Sequence, residues 1–201
     1  MNGNKFSKEI YGDADGIYMS CPEAISEHLA EKLAKYKTGV ELCCALGMTV
    51  IQLAKKLDYV YGIDMDTERI ISAKKNAQLY GVQNKTEFIQ GNVLDEKLLK
   101  NIQAEVAILD PDWSAGSNKK EHVADLEMTQ PSIKDMFYKV KEHITHNLVL
   151  RIPNTFTFDT LSVLGKCEIE NIIWDDRVRF KYAFFADDIV ENKETDMYFT
   201  I

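Results

Sequence analysis

Apolar positions along the chain follow two alternating periods, which predict strands and helices in turn. Short continuous apolar runs are separated by stretches in which apolar residues recur every three or four positions. The first pattern is typical of buried strands and the second of amphipathic helices. The predicted strands cover 40–44, 59–63, 86–89, 106–109 and 148–152. The predicted helices cover 25–36, 50–57, 67–80, 96–101 and 133–143.

The pattern changes near the C-terminus, where 168–174, 179–185 and 196–201 resemble successive strands. Their short connections favour antiparallel pairing, whereas the strand and helix alternation before them favours a parallel sheet. The sequence therefore predicts an α/β fold. We expect a mostly parallel central sheet with helices on both faces and an antiparallel C-terminal edge.

Length and composition fit one domain. The chain has 201 residues, of which 45% are hydrophobic and 28% are charged, and it contains no linker rich in Pro, Gly or Ser. We expect a single domain over 1–201, with an N-terminal segment and helix in 1–38 and the core in 39–201. No apolar run approaches the ~20 residues of a membrane span, and the first residues lack the apolar segment of a signal peptide. A cytoplasmic location is the resulting prediction.

The net charge of −8 opposes a protein that grips long nucleic acid through its phosphates, because such binding needs clustered Lys and Arg. A nucleic-acid substrate would be small, touched locally, or delivered by an RNA-binding partner. The basic residues late in the chain are interpreted as solvated surface charges: Arg151, Arg177, Arg179 and Lys181.

The cysteines and His28 do not indicate a metal site. Cys21, Cys43, Cys44 and Cys167 lack metal-ligand spacing and are predicted to be reduced, packed thiols. His28 is assigned to the first long helix, and no metal is expected.

Ser20 can cap the first long helix, with Glu23 completing a capping box, and Gly81 is placed to end the helix over 67–80.

Polar residues follow several predicted strands, and parallel sheets collect ligands at those strand ends. Asp64 lies about 20 positions beyond the first turn, where an acidic residue can accept the hydroxyl hydrogens of a ribose. Its alternative role is to cap the next helix, although Asp66 or Thr67 can do so instead. Asn92 can bond an adenine edge or serve ordinary turn chemistry. The first turn lacks G-x-G-x-x-G, which disfavours a dinucleotide and leaves S-adenosylmethionine as a fitting ligand.

The tetrapeptide Asp110-Pro111-Asp112-Trp113 follows the apolar strand 106–109. An acceptor carboxylate, a rigid proline and a flat indole can hold a planar ring that bears an amine, which favours chemistry on a nucleobase. The alternative is a tight turn capped by Asp110, with Trp113 covering the core.

Several segments stand in an order that matches one known family. They are 15–25, 40–47, 51–52, 62–66, 76–77, 80–81, 88–91, 110–113 and 144–149 before Pro153. In this order the chain resembles the trimethylguanosine synthase-like RNA cap guanine-N2 methyltransferases, which are class I S-adenosylmethionine-dependent methyltransferases. The resemblance spans most of the chain and implies a Rossmann-like class I methyltransferase fold.

The resemblance implies a cofactor site for S-adenosylmethionine. Glu41 would hold the aminoacyl end, Asp64 the ribose and Asn92 the adenine, while the turn from Cys44 to Gly47 would pass beneath the cofactor. The full cofactor set is Ser20, Glu41, Cys43, Cys44, Ala45, Gly47, Thr49, Asp64, Met65, Asn92 and Val93.

It also implies direct methyl transfer to an exocyclic amine of guanine in RNA or in a nucleotide. Asp110 and the carbonyl of Pro111 would accept hydrogen bonds from the amine. Trp113 would stack on the purine, which in the family is a 7-methylguanine. Trp113, Asp112, Asn154 and Arg151 form the expected substrate set.

The chain departs from the family pattern at four positions. Ala45 and Met48 stand where the family has glycine, Asp112 replaces the second proline of S/D-P-P-W, and Asn154 replaces a basic residue. The altered glycines and Asp112 favour a second hypothesis, a weak or inactive domain that acts through a partner, whereas Asn154 disfavours a triphosphate-linked cap as the substrate. A nicotinamide-dependent oxidoreductase is disfavoured because the phosphate turn is missing. The substrate stays open among a cap, a tRNA guanine, another RNA nucleotide and a small metabolite.

Overall fold

The computed structural model describes residues 5–115 and 118–201, so residues 1–4 of the expected N-terminal segment lie outside the described residues. The chain divides into two compact units. The first runs to Val106 and includes Ile201, and the second covers Ala107–Thr200. The single domain over 1–201 stays a prediction.

The first unit contains three strands and five α-helices among its described residues. The helices are α1 (Ala14–Met19), α2 (Glu23–Lys32), α3 (Met48–Ala54), α4 (Thr67–Tyr80) and α5 (Glu96–Leu99), with a 3-10 turn at Gln83–Lys85. The strands are β1 (Thr38–Leu42), β2 (Tyr59–Asp64) and β3 (Thr86–Gln90).

These three strands pair in parallel in the order β1-β2-β3, with Glu41 opposite Gly62 and Gly62 opposite Phe88. Parallel neighbours need crossover connections, and α3 and α4 supply them. The predicted strand at 40–44 ends earlier, at Leu42, because Cys43 has a φ of 66°. A residue in that left-handed conformation cannot continue a strand.

Helix α4 has the predicted bounds. Its N-cap is Asp66, whose Oδ1 accepts hydrogen bonds from the backbone amides of Glu68 and Arg69. It ends at Gly81, which has a φ of 75° as the sequence predicts. The capping alternative for Asp64 is therefore excluded.

The predicted cap of α2 is wrong. The helix begins after Pro22, which makes no side-chain cap bond, and Ser20 lies two residues too early. Ser20 instead stands at the C-terminal end of α1, where its hydroxyl donates to the carbonyl of Gly16. The Glu23 carboxylate accepts hydrogen bonds from the amide and hydroxyl of Ser7 and from the hydroxyl of Tyr80. Glu23 thus ties the N-terminal segment to α2 and α4 rather than completing a capping box.

The second unit holds the other strands and two α-helices among its described residues. The strands are β4 (Val106–Leu109), which begins at the last residue of the first unit, β5 (Ser114–Ala115), β6 (Asn118–His122), β7 (Leu148–Pro153), β8 (Glu168–Trp174), β9 (Arg177–Phe185) and β10 (Lys193–Tyr198). The helices are α6 (Ile133–His143) and α7 (Phe158–Leu161), with 3-10 turns at Leu126–Met128 and Ser162–Leu164.

The main strands of this unit lie in the order β10-β8-β9-β7-β4. Strands β4 and β7 pair in parallel, and β9 pairs antiparallel with both β7 and β8. The antiparallel prediction is wrong for the last strand, because β10 runs parallel to β8. Both edges of β9 are already taken, so residues 186–192 return the chain to the start of β8, where the Lys193 amide donates to the Cys167 carbonyl.

The predicted α/β class is confirmed, with mostly parallel pairing and an antiparallel edge near the C-terminus. The four cysteines are free thiols, as predicted, and Cys21, Cys44 and Cys167 are buried. Burial raises the pKa of the Cys167 thiol to about 11. Among the helices that the structure describes, none has both the length and the apolar character to cross a membrane.

Candidate functional site

The turn after β1 has an unusual backbone. Cys43, Ala45 and Gly47 have φ values of 66°, 45° and 74°, so three of its five residues are left-handed. The Cys44 amide donates to the carbonyl of Ile63 in β2, and the Gly47 amide donates to the carbonyl of Cys44. A left-handed conformation costs a residue with a side chain ~1–2 kcal/mol. The tertiary structure therefore holds Cys43 and Ala45 in strained positions.

Phe88 of β3 forms the floor of this turn. A Cβ atom added at Gly47 would lie 2.6 Å from the Phe88 ring, and one added at Gly62 would lie 2.8 Å from it. Both distances are far shorter than a normal carbon contact. Glycine is thus required at both positions, because the turn and β2 lie directly against the ring.

Two carboxylates accompany the turn. Glu41 in β1 is only 2% exposed. Asp64 ends β2, where its Oδ2 accepts a hydrogen bond from the Ala45 amide at 2.8 Å and its Oδ1 accepts one from the Asp66 amide at 3.0 Å. Each carboxylate oxygen can accept a second hydrogen bond. Asp64 therefore holds the turn in place and keeps acceptor capacity for a hydroxyl group.

The Cys44 thiol reports the electrostatics of the turn. Burial raises its pKa well above the ordinary value, and the negative charges of Glu41 and Asp64 raise it further. Cys44 is consequently a neutral thiol and no nucleophile. The same charges make the turn a favourable place for a cationic ligand that also carries hydroxyl donors.

The remaining predicted cofactor residues differ in exposure. Thr49 and Val93 are buried, and Met65 is exposed. The Asn92 side chain is exposed and its Oδ1 accepts from the Leu94 amide, which is the ordinary turn chemistry that the sequence also allowed. That bond leaves the amide nitrogen of Asn92 for other partners. Asn92 can therefore serve both the turn and a ligand.

The structure also shows a residue whose role the sequence did not reveal. Asn76 of α4 is fully buried, and its amide nitrogen donates to the carbonyls of Tyr11 and Leu46, while its oxygen accepts from the Tyr11 amide. It therefore joins the N-terminal segment to the turn after β1. An asparagine on the apolar face of a predicted helix is the signal that points to such a role.

In the second unit, Asp110 and Arg151 form an ion pair. Arg151 Nη1 lies 2.7 Å from Asp110 Oδ2, and the two side chains are only 11% and 17% exposed. Burial raises the pKa of Asp110, the charge and hydrogen bond of Arg151 partly oppose that effect, and the charge of Asp112 adds to it. The prediction that Arg151 is a solvated charge is wrong, because β7 places it beside the end of β4.

The same interpretation fails for Lys181. Its Nζ donates to the carbonyl of Phe156 at 2.9 Å and lies 3.5 Å from the Glu194 carboxylate, and the side chain is mostly buried. Arg179 pairs with Asp175 at 2.8 Å and lies over the ring of Trp174. Both side chains therefore have partners within the protein, and those of Lys181 are Phe156 after β7 and Glu194 on β10.

Trp113 lies beside this ion pair. The guanidinium carbon of Arg151 is 5.1 Å from the centre of the Trp113 ring and 4.5 Å from that of Phe180. The two rings are 6.3 Å apart, and His122 meets Trp113 edge-on at 6.0 Å. One face of the half-buried indole is thus covered by a cation.

Asp112, not Asp110, caps the turn that follows β4. Its Oδ1 accepts hydrogen bonds from the amide and the hydroxyl of Ser114, and its backbone pairs with that of Gln130. Pro111 is buried and Asp112 is exposed. The alternative in which Asp110 caps the turn is therefore excluded.

Asn154 follows β7, is exposed, and donates to the carbonyl of Val178 at 3.3 Å.

The structure brings together Glu41, Cys44, Ala45 and Asp64 in the first unit, and Asp110, Arg151 and Trp113 in the second. Within the described ranges 5–115 and 118–201, no group of three or more His, Cys, Asp or Glu residues is arranged to hold a metal ion.

Comparisons with known proteins point to one family. A family model described as RNA cap guanine-N2 methyltransferase matches residues 36–188. Trimethylguanosine synthase from Saccharomyces cerevisiae is 27% identical over an alignment of 180 positions, and the match covers 78% of this chain and 57% of that protein. The chain thus spans only about half the length of that relative.

Solved structures support the fold. A proposed methyltransferase from Porphyromonas gingivalis W83 matches with a TM-score of 0.72 at 14% identity, over 88% of this chain and 43% of that chain. Precorrin 8w decarboxylase from Methanobacterium thermoautotrophicum matches with a TM-score of 0.58 at 15% identity, over 91% and 97% of the two chains. The predicted Rossmann-like class I methyltransferase fold is confirmed.

Proposed function

Since the chain belongs to the RNA cap guanine-N2 methyltransferase family, we propose that it transfers a methyl group from S-adenosylmethionine to the exocyclic amine of a guanine in RNA or in a nucleotide. The observation that carries this proposal is the group formed by Asp110, Arg151 and Trp113. It combines a hydrogen-bond acceptor with a flat ring, as the recognition of an aromatic amine requires.

The donor chemistry of the first unit fits the cofactor. S-adenosylmethionine, when bound, supplies a methyl group on a positively charged sulfur. The Glu41 carboxylate would bind the aminoacyl end, and Asp64 would accept hydrogen bonds from the ribose with the capacity that its bonds to Ala45 and Asp66 leave. Asn92 would donate to the adenine. Ser20, Thr49, Met65 and Val93 complete the proposed lining, as do Cys43, Cys44, Ala45 and Gly47 of the turn.

In the second unit, Trp113 would support the purine and Asp110 would bind its amine. Oδ2 of Asp110 is occupied by Arg151, whereas no described residue is bonded to Oδ1. Oδ1 of Asp110 and the carbonyl of Pro111 can therefore accept hydrogen bonds from the two N–H groups of an amine. Orienting the nitrogen in this way can supply several kcal/mol of the barrier to direct displacement.

Asp110 would also stabilise the transition state. The hydrogens of the attacking nitrogen become more acidic as it binds the methyl group, so their hydrogen bonds to the Asp110 carboxylate are stronger in the transition state than in the ground state. Arg151 opposes the effect of burial on the pKa of Asp110 and so favours the ionised form. The ion pair thus prepares Asp110 to accept hydrogen bonds and then a proton.

A second candidate is a weak or inactive domain that acts through a partner. Ala45 supports it, because this residue is left-handed where the family has glycine, and its amide is already bonded to Asp64. A cytoplasmic location and an RNA-binding partner remain predictions of the sequence.

The test is a labelled-methyl transfer screen against cellular RNA pools and free nucleotides, followed by identification of the modified nucleoside. For Asp110→Ala we expect the rate to fall about 10²- to 10³-fold, the usual effect of removing one transition-state contact. The affinity for S-adenosylhomocysteine, measured by thermal shift, should change by no more than a few-fold. The exposed variant Asp188→Ala is the control.

Normal turnover by Asp110→Ala would remove this residue from the mechanism. A wild-type protein whose melting temperature is unchanged by S-adenosylmethionine and S-adenosylhomocysteine would instead favour the second candidate, because a ligand at ~100 times its dissociation constant adds ~2.7 kcal/mol to native-state stability.

A further inference from the structure

We propose that the acceptor is a guanine without a 7-methyl group, because Arg151 makes the acceptor site unfavourable for a cationic base. This inference rests on the proposed guanine methylation and narrows its substrate. It differs from what the family resemblance implies, which is a positively charged 7-methylguanine stacked on Trp113.

The first observation is the position of the guanidinium. It lies over the ring of Trp113 at 5.1 Å and over that of Phe180 at 4.5 Å. A cation is attracted to the negative face of an indole, and Arg151 already makes this interaction. Arg151 thus already makes the cation–π interaction that an unoccupied indole would offer to a cationic base.

The second observation is that Arg151 neutralises the negative charge of Asp110. Asp110 is bound to Arg151 at 2.7 Å, and both side chains are nearly buried. The pair has no net charge, so Asp110 offers a cationic base much less attraction than an unpaired carboxylate would. Asp112 is the remaining carboxylate of the motif. Its charge acts on Asp110, but Asp112 is exposed to solvent and bonded to Ser114, so solvent weakens the attraction that it offers to a cation.

A cationic base would have two ways to stack on Trp113, and both are unfavourable. On the face that Arg151 covers, it would displace the guanidinium and leave Asp110 without its partner. On the opposite face, it would share the indole with a cation. The guanidinium would not repel an uncharged guanine, because stacking of a neutral base depends on contact and dispersion.

The test compares GTP with 7-methyl-GTP as methyl acceptors, at a pH at which the 7-methylguanine ring is cationic. Both nucleotides carry the same phosphates, so the comparison isolates the ring. We expect the wild-type kcat/KM to favour GTP by about 2- to 30-fold, the range that corresponds to one cation and ring interaction. A wild-type preference for 7-methyl-GTP would overturn the inference and leave guanine methylation standing.

Two variants assign the preference to Arg151. Arg151→Met removes the charge and should reduce the preference for GTP or reverse it, whereas Arg151→Lys keeps a charge and should retain part of it. The ratio of kcat/KM for the two nucleotides within one variant is independent of the folded fraction. Arg177→Met, at the exposed start of β9, is the control with the same side-chain change. An unchanged ratio in Arg151→Met would contradict the proposal.

Binding separates this inference from the proposed function. The chain has two tryptophans, so in a Trp174→Phe background the fluorescence reports Trp113 alone. Quenching by GTP but not by 7-methyl-GTP, without methyl transfer to either, would support the charge preference and contradict the proposed reaction. No quenching by either nucleotide would overturn both.

Discussion

The turn over residues 43–47 and the group around Trp113 are built in different ways. The turn depends on backbone conformation, since three of its five residues are left-handed and its bonds run through main-chain amides. The group around Trp113 depends on side chains that β4, β7 and β9 bring together. Substitutions in the turn should therefore act first on stability and cofactor binding, and substitutions at Asp110 or Arg151 on transfer and substrate choice.

The largest expected stability effect comes from the turn. Gly47→Ala would place a Cβ atom 2.6 Å from Phe88 in a left-handed residue. Overpacking and backbone strain together should lower the free energy of unfolding by about 2–5 kcal/mol. Urea unfolding measures this change.

Gly81→Ala is the matched control for Gly47→Ala. Gly81 has nearly the same φ, 75° against 74°, but a Cβ atom there meets nothing within 4 Å. Only the backbone term remains, so we expect a loss of about 1 kcal/mol. Equal losses in the two variants would show that the Phe88 floor contributes nothing.

The pH profile of kcat/KM should depend on the charged residues around Trp113. Burial raises the pKa of Asp110, so the acid limb should lie above the ordinary range of an aspartate, with activity lost as Asp110 takes up its proton. Arg151→Met removes the cation that lowers this pKa, so the limb should move to higher pH. Asp112→Asn removes the anion that raises it, so the limb should move to lower pH.

The opposite directions of these two shifts are the critical result. Asp188→Asn, which changes an exposed carboxylate, should leave the limb in place. If Arg151→Met and Asp112→Asn moved the limb the same way, the group that titrates would not be Asp110.

The smallest effect is expected for Ala45→Gly. Glycine removes the strain of the left-handed backbone, ~1–2 kcal/mol, but makes the unfolded chain more flexible. We expect a net gain of at most ~1 kcal/mol in the free energy of unfolding, with the bond from residue 45 to Asp64 retained. A marked gain in affinity for S-adenosylhomocysteine, measured by titration calorimetry, would instead show that Ala45 restricts cofactor binding.

Much of the fold could be predicted because it is recorded in local patterns. Helix α4 begins after Asp66 and ends at Gly81, and both residues act through bonds within one turn of the helix. The prediction that Ser20 caps α2 is wrong because Ser20 belongs to the end of another, very short helix. Its partner, Gly16, lies in the short helix α1, whose pattern is too brief to be seen in the sequence.

The sequence by itself determined the order of strands and helices and the family motifs, and it placed Asp64 and Asp110 at strand ends. These properties depend on residues close together in the chain. Only the tertiary structure decided that β10 joins β8 in parallel, that Asn76 holds the turn after β1, and that Arg151 covers Trp113. Arg151 and Asp110 are 41 positions apart, and the pairing of β4 with β7 brings them into contact. No pattern local to either residue contains that information.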